Sequence, residues 1–197
     1  MIPAIHDRRS IRKFQSTPIP KKDIEEILRS AIASPSSKNR QPWRFTVVQG
    51  DEKKAALDAF RKGIRREESG EALLPESRQH LSSAKRTIEI MDEAPVIIFV
   101  ENTLARPLRS ALSTEDRVGE ICNVQSIGAA IENMLLEATD KGLGSLWVCD
   151  IFFAYDEINK WLGAGGELVA ALALGYPAQS PPARPRKAFD DVVTWRG

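Results

Sequence analysis

Apolar positions recur along this chain with two different periods. Ile24, Ile27, Leu28, Ala31 and Ile32 follow a helical spacing after Pro20, a residue suited to a first turn, and Ser34-Pro35 ends the run. Arg44-Phe45-Thr46-Val47-Val48 and Val96-Ile97-Ile98-Phe99-Val100 are short and rich in β-branched residues; the second reads as a strand buried on both faces. A loop is predicted from Glu101 to Glu115, followed by a long helix from Glu120 to Lys141 with its apolar stripe at Ile121, Val124, Ile127, Ile131, Met134, Leu135 and Ala138. Gly128, Ala129 and Ala130 widen that stripe enough for packing against a second subunit.

Gly142-Leu143-Gly144 stops the helix and Ser145-Leu146-Trp147-Val148-Cys149 reads as a strand. A helix from Tyr155 to Leu162, the glycine turn Gly163-Ala164-Gly165-Gly166 and a last core strand from Leu168 to Leu174 complete the ordered pattern. Between about 51 and 92 the composition turns strongly charged, which predicts surface helices and a mobile excursion. From Ala178 onward the chain is rich in proline and should run extended over a surface.

With 197 residues, 42% of them hydrophobic and 28% charged, the chain has the balance of one globular domain, 1–197. Its 28 Lys+Arg nearly cancel 27 Asp+Glu, so no general field attracts nucleic acid or an anionic membrane. No run is apolar enough to cross a bilayer, and His6-Asp7-Arg8-Arg9 precedes any signal-peptide core, so a cytoplasmic location is expected. Cys122 and Cys149 lack metal-ligand spacing, and His6 and His80 lack partners for a catalytic triad. Chemistry without a protein nucleophile or a metal points to an organic cofactor.

Three segments carry that chemistry. Arg8-Arg9-Ser10-Ile11-Arg12 and Arg184-Pro185-Arg186-Lys187 concentrate guanidinium groups, whose planar forks suit phosphate. Between them in sequence, Ser34-Pro35-Ser36-Ser37-Lys38-Asn39-Arg40-Gln41-Pro42-Trp43 offers hydroxyls and amides suited to the polar edge of a heterocycle. The chain has no GxxxxGK phosphate loop, and Gly142-Leu143-Gly144 lacks the third glycine and following helix of a dinucleotide fingerprint.

Taken with Ser126-Ile127-Gly128-Ala129-Ala130-Ile131-Glu132-Asn133 and Leu174-Gly175-Tyr176-Pro177, these segments stand in the order seen in the nitroreductase family of FMN-dependent oxidoreductases, which the chain resembles over nearly its whole length. The resemblance implies an α+β fold: a three-layer sandwich with a mostly antiparallel central sheet flanked by helices, and an extended C-terminal tail reaching the partner of a homodimer. It implies that Arg8 and Ser10 hold the phosphate and ribityl chain of FMN, that Arg9 lines the same loop, and that Arg184 and Arg186 complete the clamp. Arg12 would sit near the N1 and C2 carbonyl end of the ring, where a cation stabilises the reduced flavin. Pro35, Ser36 and Ser37 would come from the other subunit with Asn39 close by, and the backbone of Trp147, Val148, Cys149 and Asp150 would face the N5 side.

The implied activity is hydride transfer from transiently bound NAD(P)H through flavin N5 to a small electron-poor acceptor such as a nitroaromatic, quinone or enone, by alternating half-reactions. A non-catalytic flavin carrier, a flavin-dependent dehydrogenase of a biosynthetic route, and a protein using its arginines for another phosphate ligand or an acidic partner remain open beside it. The segment from Phe60 to Met91 contains no tyrosine, which argues against members that remove iodine using a Glu-Tyr-Lys lid. Cys149 has no adjacent histidine or lysine to activate it and reads as a packing residue.

Overall fold

The computed structural model describes residues 2–163 and 165–197; Ala164, inside the expected glycine turn, lies outside the described residues. Strands β1 (Trp43–Val48), β2 (Val96–Asn102), β3 (Gly144–Val148) and β4 (Glu167–Gly175) form one antiparallel sheet in the order β1-β2-β4-β3. Helices α1 (Pro3–Asp7), α2 (Lys21–Ile32), α3 (Gly50–Glu68), α4 (Leu81–Glu93), α5 (Thr114–Asp140) and α6 (Tyr155–Leu162) surround it. The result is the expected α+β sandwich of three layers.

β2 is buried along its whole length and alternates between two cores, as a strand covered on both faces must. Val96, Ile98 and Val100 join α2 and α5 through Ile24, Ile27, Ile127, Ile131 and Met134. Ile97 and Phe99 point the other way, into Leu57, Phe60, Ile64, Ile88 and Met91 of α3 and α4. On β4 the alternation breaks once: Val100 opposes Ala170 and Glu101 opposes Leu168, leaving Val169 as an extra residue. That bulge returns Leu168 to the α3–α4 side alongside Ala171 and Ala173.

Two expectations change here. The charged segment at 51–92 is not a mobile excursion on the surface: α3 and α4 bury Ala56, Leu57, Phe60, Ile64, Leu81, Ala84, Ile88 and Met91 and supply one of the two outer layers. Most of its charged residues occupy the outer faces of the same helices, but Arg66 and Glu67 turn inward. Glu67 is buried and accepts hydrogen bonds from the amides of Leu73 (2.8 Å) and Leu74 (3.2 Å), with the Arg66 guanidinium at 2.7 Å. A carboxylate removed from water needs such partners, and these hold the α3–α4 connection against the helix end.

The long helix also begins six residues earlier than its stripe predicts, at Thr114 rather than Glu120. Ser113 caps it, its hydroxyl accepting from the amide of Asp116 at 3.1 Å, and Glu115 and Asp116 sit in the first turn where the helix dipole favours negative charge. In these turns Val118, Ile121 and Val124 are exposed.

Candidate functional site

The two arginine-rich segments meet. Residues 10–15 run beside the ends of β3 and β4: Ser10 bridges to Ser145, the Ile11 amide donates to the Ser145 carbonyl at 2.9 Å, and Phe14 bridges to Pro177. The Ala178 amide then donates to the Lys13 carbonyl at 2.9 Å, which starts the proline-rich tail back along the N-terminal segment. Gly144 is a requirement of this packing, because a Cβ there would lie 2.8 Å from Ile11 Cγ1.

Between the segments lies a cavity of about 570 Å³, lined by Arg8, Arg9, Ser10 and Arg12 on one side and by Pro181 to Arg186 on the other. Among the described residues, five arginines line it and no carboxylate does. Backbone carbonyls orient most of these groups: Arg9 donates to the carbonyls of His6 and Arg8 (2.8 Å to the latter), Arg12 to that of Ser10 (3.3 Å), and Arg186 to those of Arg184 and Pro185 (both 3.3 Å). A carbonyl orients a guanidinium without cancelling its charge. The nearest acidic partner is Glu132 of α5, 3.8 Å from Arg8 Nε, a contact that leaves the terminal nitrogens of Arg8 available.

By contrast, a similar-sized groove between α3 and α4 mixes Arg61, Arg65 and Lys85 with Glu68, Glu89, Asp92 and Glu93, and Lys85 is paired with Glu68 at 2.6 Å. Its charges largely cancel. Among the described residues no group of three or more His, Cys, Asp or Glu side chains could hold a metal ion, and no helix is long and apolar enough to cross a membrane.

The serine-rich loop lies elsewhere, docked on α5. Asn133 donates to the Ser34 hydroxyl (2.7 Å) and the Ser30 carbonyl (3.0 Å), and the Ser37 amide donates to the Ser126 hydroxyl (3.2 Å). Lys38, Asn39 and Gln41 hold φ values of 53°, 51° and 48°. Three non-glycine residues in the left-handed region within four positions constitute local strain, which the hydrogen bonds to α5 offset. Pro35, Ser36, Ser37 and Asn39 therefore do not line the arginine cavity of their own chain.

Trp147, Val148 and Cys149 form a third group at the end of β3. Val148 is core, Trp147 is 39% exposed, and Cys149 is exposed. Local desolvation, and after it the Asp150 carboxylate, push the Cys149 thiol upward, the wrong direction for a reactive thiolate. Ser126 and Asn133 were legible only as members of a longer motif; their signal is a pair of polar residues seven positions apart beside an apolar helical stripe. Glu132 belongs to the same motif, but its approach to Arg8 is set by the fold; Thr87 and Ser83 had no signal in the sequence, since only the fold brings them to Asp150.

The model of the nitroreductase family matches residues 5–176, and the chain belongs to that family. It is 30% identical over 185 residues to the 5,6-dimethylbenzimidazole synthase of Rhodospirillum rubrum, covering 89% of this chain and 81% of that protein. It is 29% identical over 194 residues to the NADH dehydrogenase of Thermus thermophilus, covering 96% and 92% of the two chains. Among solved structures, a Desulfovibrio desulfuricans protein in complex with FMN superposes with a TM-score of 0.70 at 26% identity, covering 99% of this chain and 95% of the other.

Proposed function

We propose that the chain is an FMN-dependent oxidoreductase that takes a hydride from NAD(P)H and delivers it to a small electron-poor acceptor in alternating half-reactions. The observation that carries this reading is the arginine cavity: five guanidinium groups with no carboxylate among them match a phosphate monoester in both charge and donor geometry. FMN supplies the hydride-carrying ring when bound. Arg8, Arg9, Ser10, Arg184 and Arg186 hold its phosphate end, and Arg12 places a positive charge where the reduced ring is negative. The backbone of Trp147, Val148 and Cys149 lies along the reactive edge, and no side chain of this group is needed as a nucleophile.

The reading also explains the distance between the cavity and the serine-rich loop. Pro35, Ser36, Ser37 and Asn39 complete the site of a second copy, so the working unit is a homodimer. The exposed Val118, Ile121 and Val124 of α5 offer it an apolar face, and the tail carries Phe189, Val192 and Trp195 (83% exposed) toward a partner. Similarity in fold to a protein in complex with FMN and in sequence to an NADH dehydrogenase supports the same cofactor pair.

The visible spectrum of the purified protein, followed by anaerobic addition of NADH or NADPH, tests it. Flavin bands that bleach are expected; bands that persist favour a carrier, and a protein that takes up no FMN removes the reading. Sedimentation of the FMN-loaded protein is expected to give a dimer, and a monomer retaining FMN contradicts the shared site. A flavin-dependent dehydrogenase of a biosynthetic route is the second reading, favoured by the similarity to a biosynthetic enzyme, 5,6-dimethylbenzimidazole synthase.

A further inference from the structure

Beyond the arginine cavity, α4 reaches the turn that follows β3. The Thr87 hydroxyl donates to Asp150 Oδ2 at 2.6 Å, and the Ser83 hydroxyl, one turn earlier on α4, lies 3.5 Å from the same oxygen. Thr87 is 7% exposed, on the helix face that also carries Ala84, Ile88 and Met91 into the core. A hydroxyl on such a face is costly unless it is partnered, and its partner here is a carboxylate that could otherwise have turned to water.

Asp150 is half-buried, between the exposed Cys149 and the core residue Ile151. The contact with α4 therefore does two things. It fixes the peptide between Cys149 and Asp150, and it holds one negative charge at a set place beside the end of β3.

We propose that Thr87 is a positioning residue that, through Asp150, sets the reduction potential of the bound flavin. The inference rests on the FMN reading above, in which the backbone from Trp147 to Asp150 faces the N5 edge of the ring. A fixed carboxylate near that edge opposes the entry of electrons and keeps the potential low, which makes the reduced cofactor a stronger donor to its acceptor. Arg12 acts in the opposite sense from the other end of the ring, so the two charges divide the tuning between them.

Anaerobic reductive titration of the FMN-loaded protein, followed by flavin absorbance against a reference dye, gives the midpoint potential of the parent and of Asp150→Asn, Thr87→Val and Thr87→Ser. Asp150→Asn is expected to move the potential to a more positive value, Thr87→Val to move it the same way by less, and Thr87→Ser to restore the parent value. An independent reading uses the flavin-free protein in a Cys122→Ala background: the pH profile of Cys149 alkylation by iodoacetamide is expected to shift to lower pH in Asp150→Asn, because the neighbouring negative charge is gone. If Thr87→Val fails to fold, Thr87→Ala takes its place as the variant that lacks the hydroxyl, and the same positive shift is expected of it. An Asp150→Asn or Thr87→Val protein that binds FMN with the parent potential overturns the proposal, including one that loses thermal stability without that shift. A parent that binds FMN and is reduced by NAD(P)H, with no shift in Asp150→Asn or Thr87→Val, overturns this inference and leaves the functional reading standing; a parent that binds no FMN overturns both.

Discussion

Replacing Arg8 with alanine is expected to weaken FMN binding while leaving riboflavin binding unchanged. Among the described residues, the carboxylate contact of Arg8 is the long approach of Glu132 to Nε, which leaves its terminal nitrogens for an anion. A charge-assisted hydrogen bond contributes about 1.5 to 3 kcal/mol, which corresponds to roughly a ten- to hundredfold loss of affinity. Riboflavin lacks the phosphate, so its affinity separates a local loss of the anion contact from general damage to the fold. The four arginines that remain in the cavity keep some field there, and the loss should shrink at high ionic strength, where the contribution of Arg8 to the parent's affinity is itself screened. Titration of the flavin-free protein with each ligand at two salt concentrations measures both effects. An FMN affinity equal to that of the parent would remove Arg8 from the site.

How that cavity forms shows the limit of reading a site from sequence. Arg8 and Arg186 are both conspicuous as members of basic clusters, and guanidinium chemistry alone suggests an anion. What joins the clusters is a set of backbone contacts, from Ser10 to Ser145, Phe14 to Pro177 and Ala178 to Lys13, made by residues with no chemical signature of their own. Only resemblance to a family placed the two clusters together in advance. The tie between Thr87 and Asp150 was less accessible still, because a threonine inside an amphipathic helix reads as an indifferent surface residue until the carboxylate beneath it is seen.

The fold was more legible where burial is two-sided. Val96 to Val100 is five apolar residues, too short for a buried helix and β-branched at four positions, so physical chemistry leaves little but a central strand. The bulge at Val169 was hidden for the same reason, since a continuous apolar run carries no alternation from which an extra residue could be detected. The start of α5 was missed although Ser113 and Asp116 stand at capping spacing, because the turns they cap expose Val118 and Ile121 instead of continuing the inward stripe. In α3 the apolar stripe of Ala56, Leu57, Phe60 and Ile64 is regular, but the lysines, arginines and glutamates around it dominate the composition. The same face includes Gly63 and Glu67, two residues that ordinarily weaken the case for a buried helix.

Gly63→Ala turns that misreading into a test whose sign differs between the two pictures. On an exposed helix the substitution stabilises, because alanine exceeds glycine in helix propensity by about 0.8–1 kcal/mol. In this structure α3 presses at Gly63 against the turn formed by residues 150–154, and an added Cβ would lie 2.2 Å from the Cβ and 2.3 Å from the Cα of Ala154, with Glu157 Oε2 at 2.9 Å. The first two are not ends of flexible side chains, so relief requires the helix or the turn to move. Overpacking of a well-packed core commonly costs about 1–3 kcal/mol, occasionally more, which outweighs the gain in propensity. The variant is therefore expected to be destabilised by about 1–3 kcal/mol or more in denaturant unfolding, and displacement of the turn would carry Asp150 away from Thr87. A Gly63→Ala protein as stable as the parent, or more so, would show that α3 does not approach the turn this closely and that the charged segment is the loosely attached surface its composition suggests.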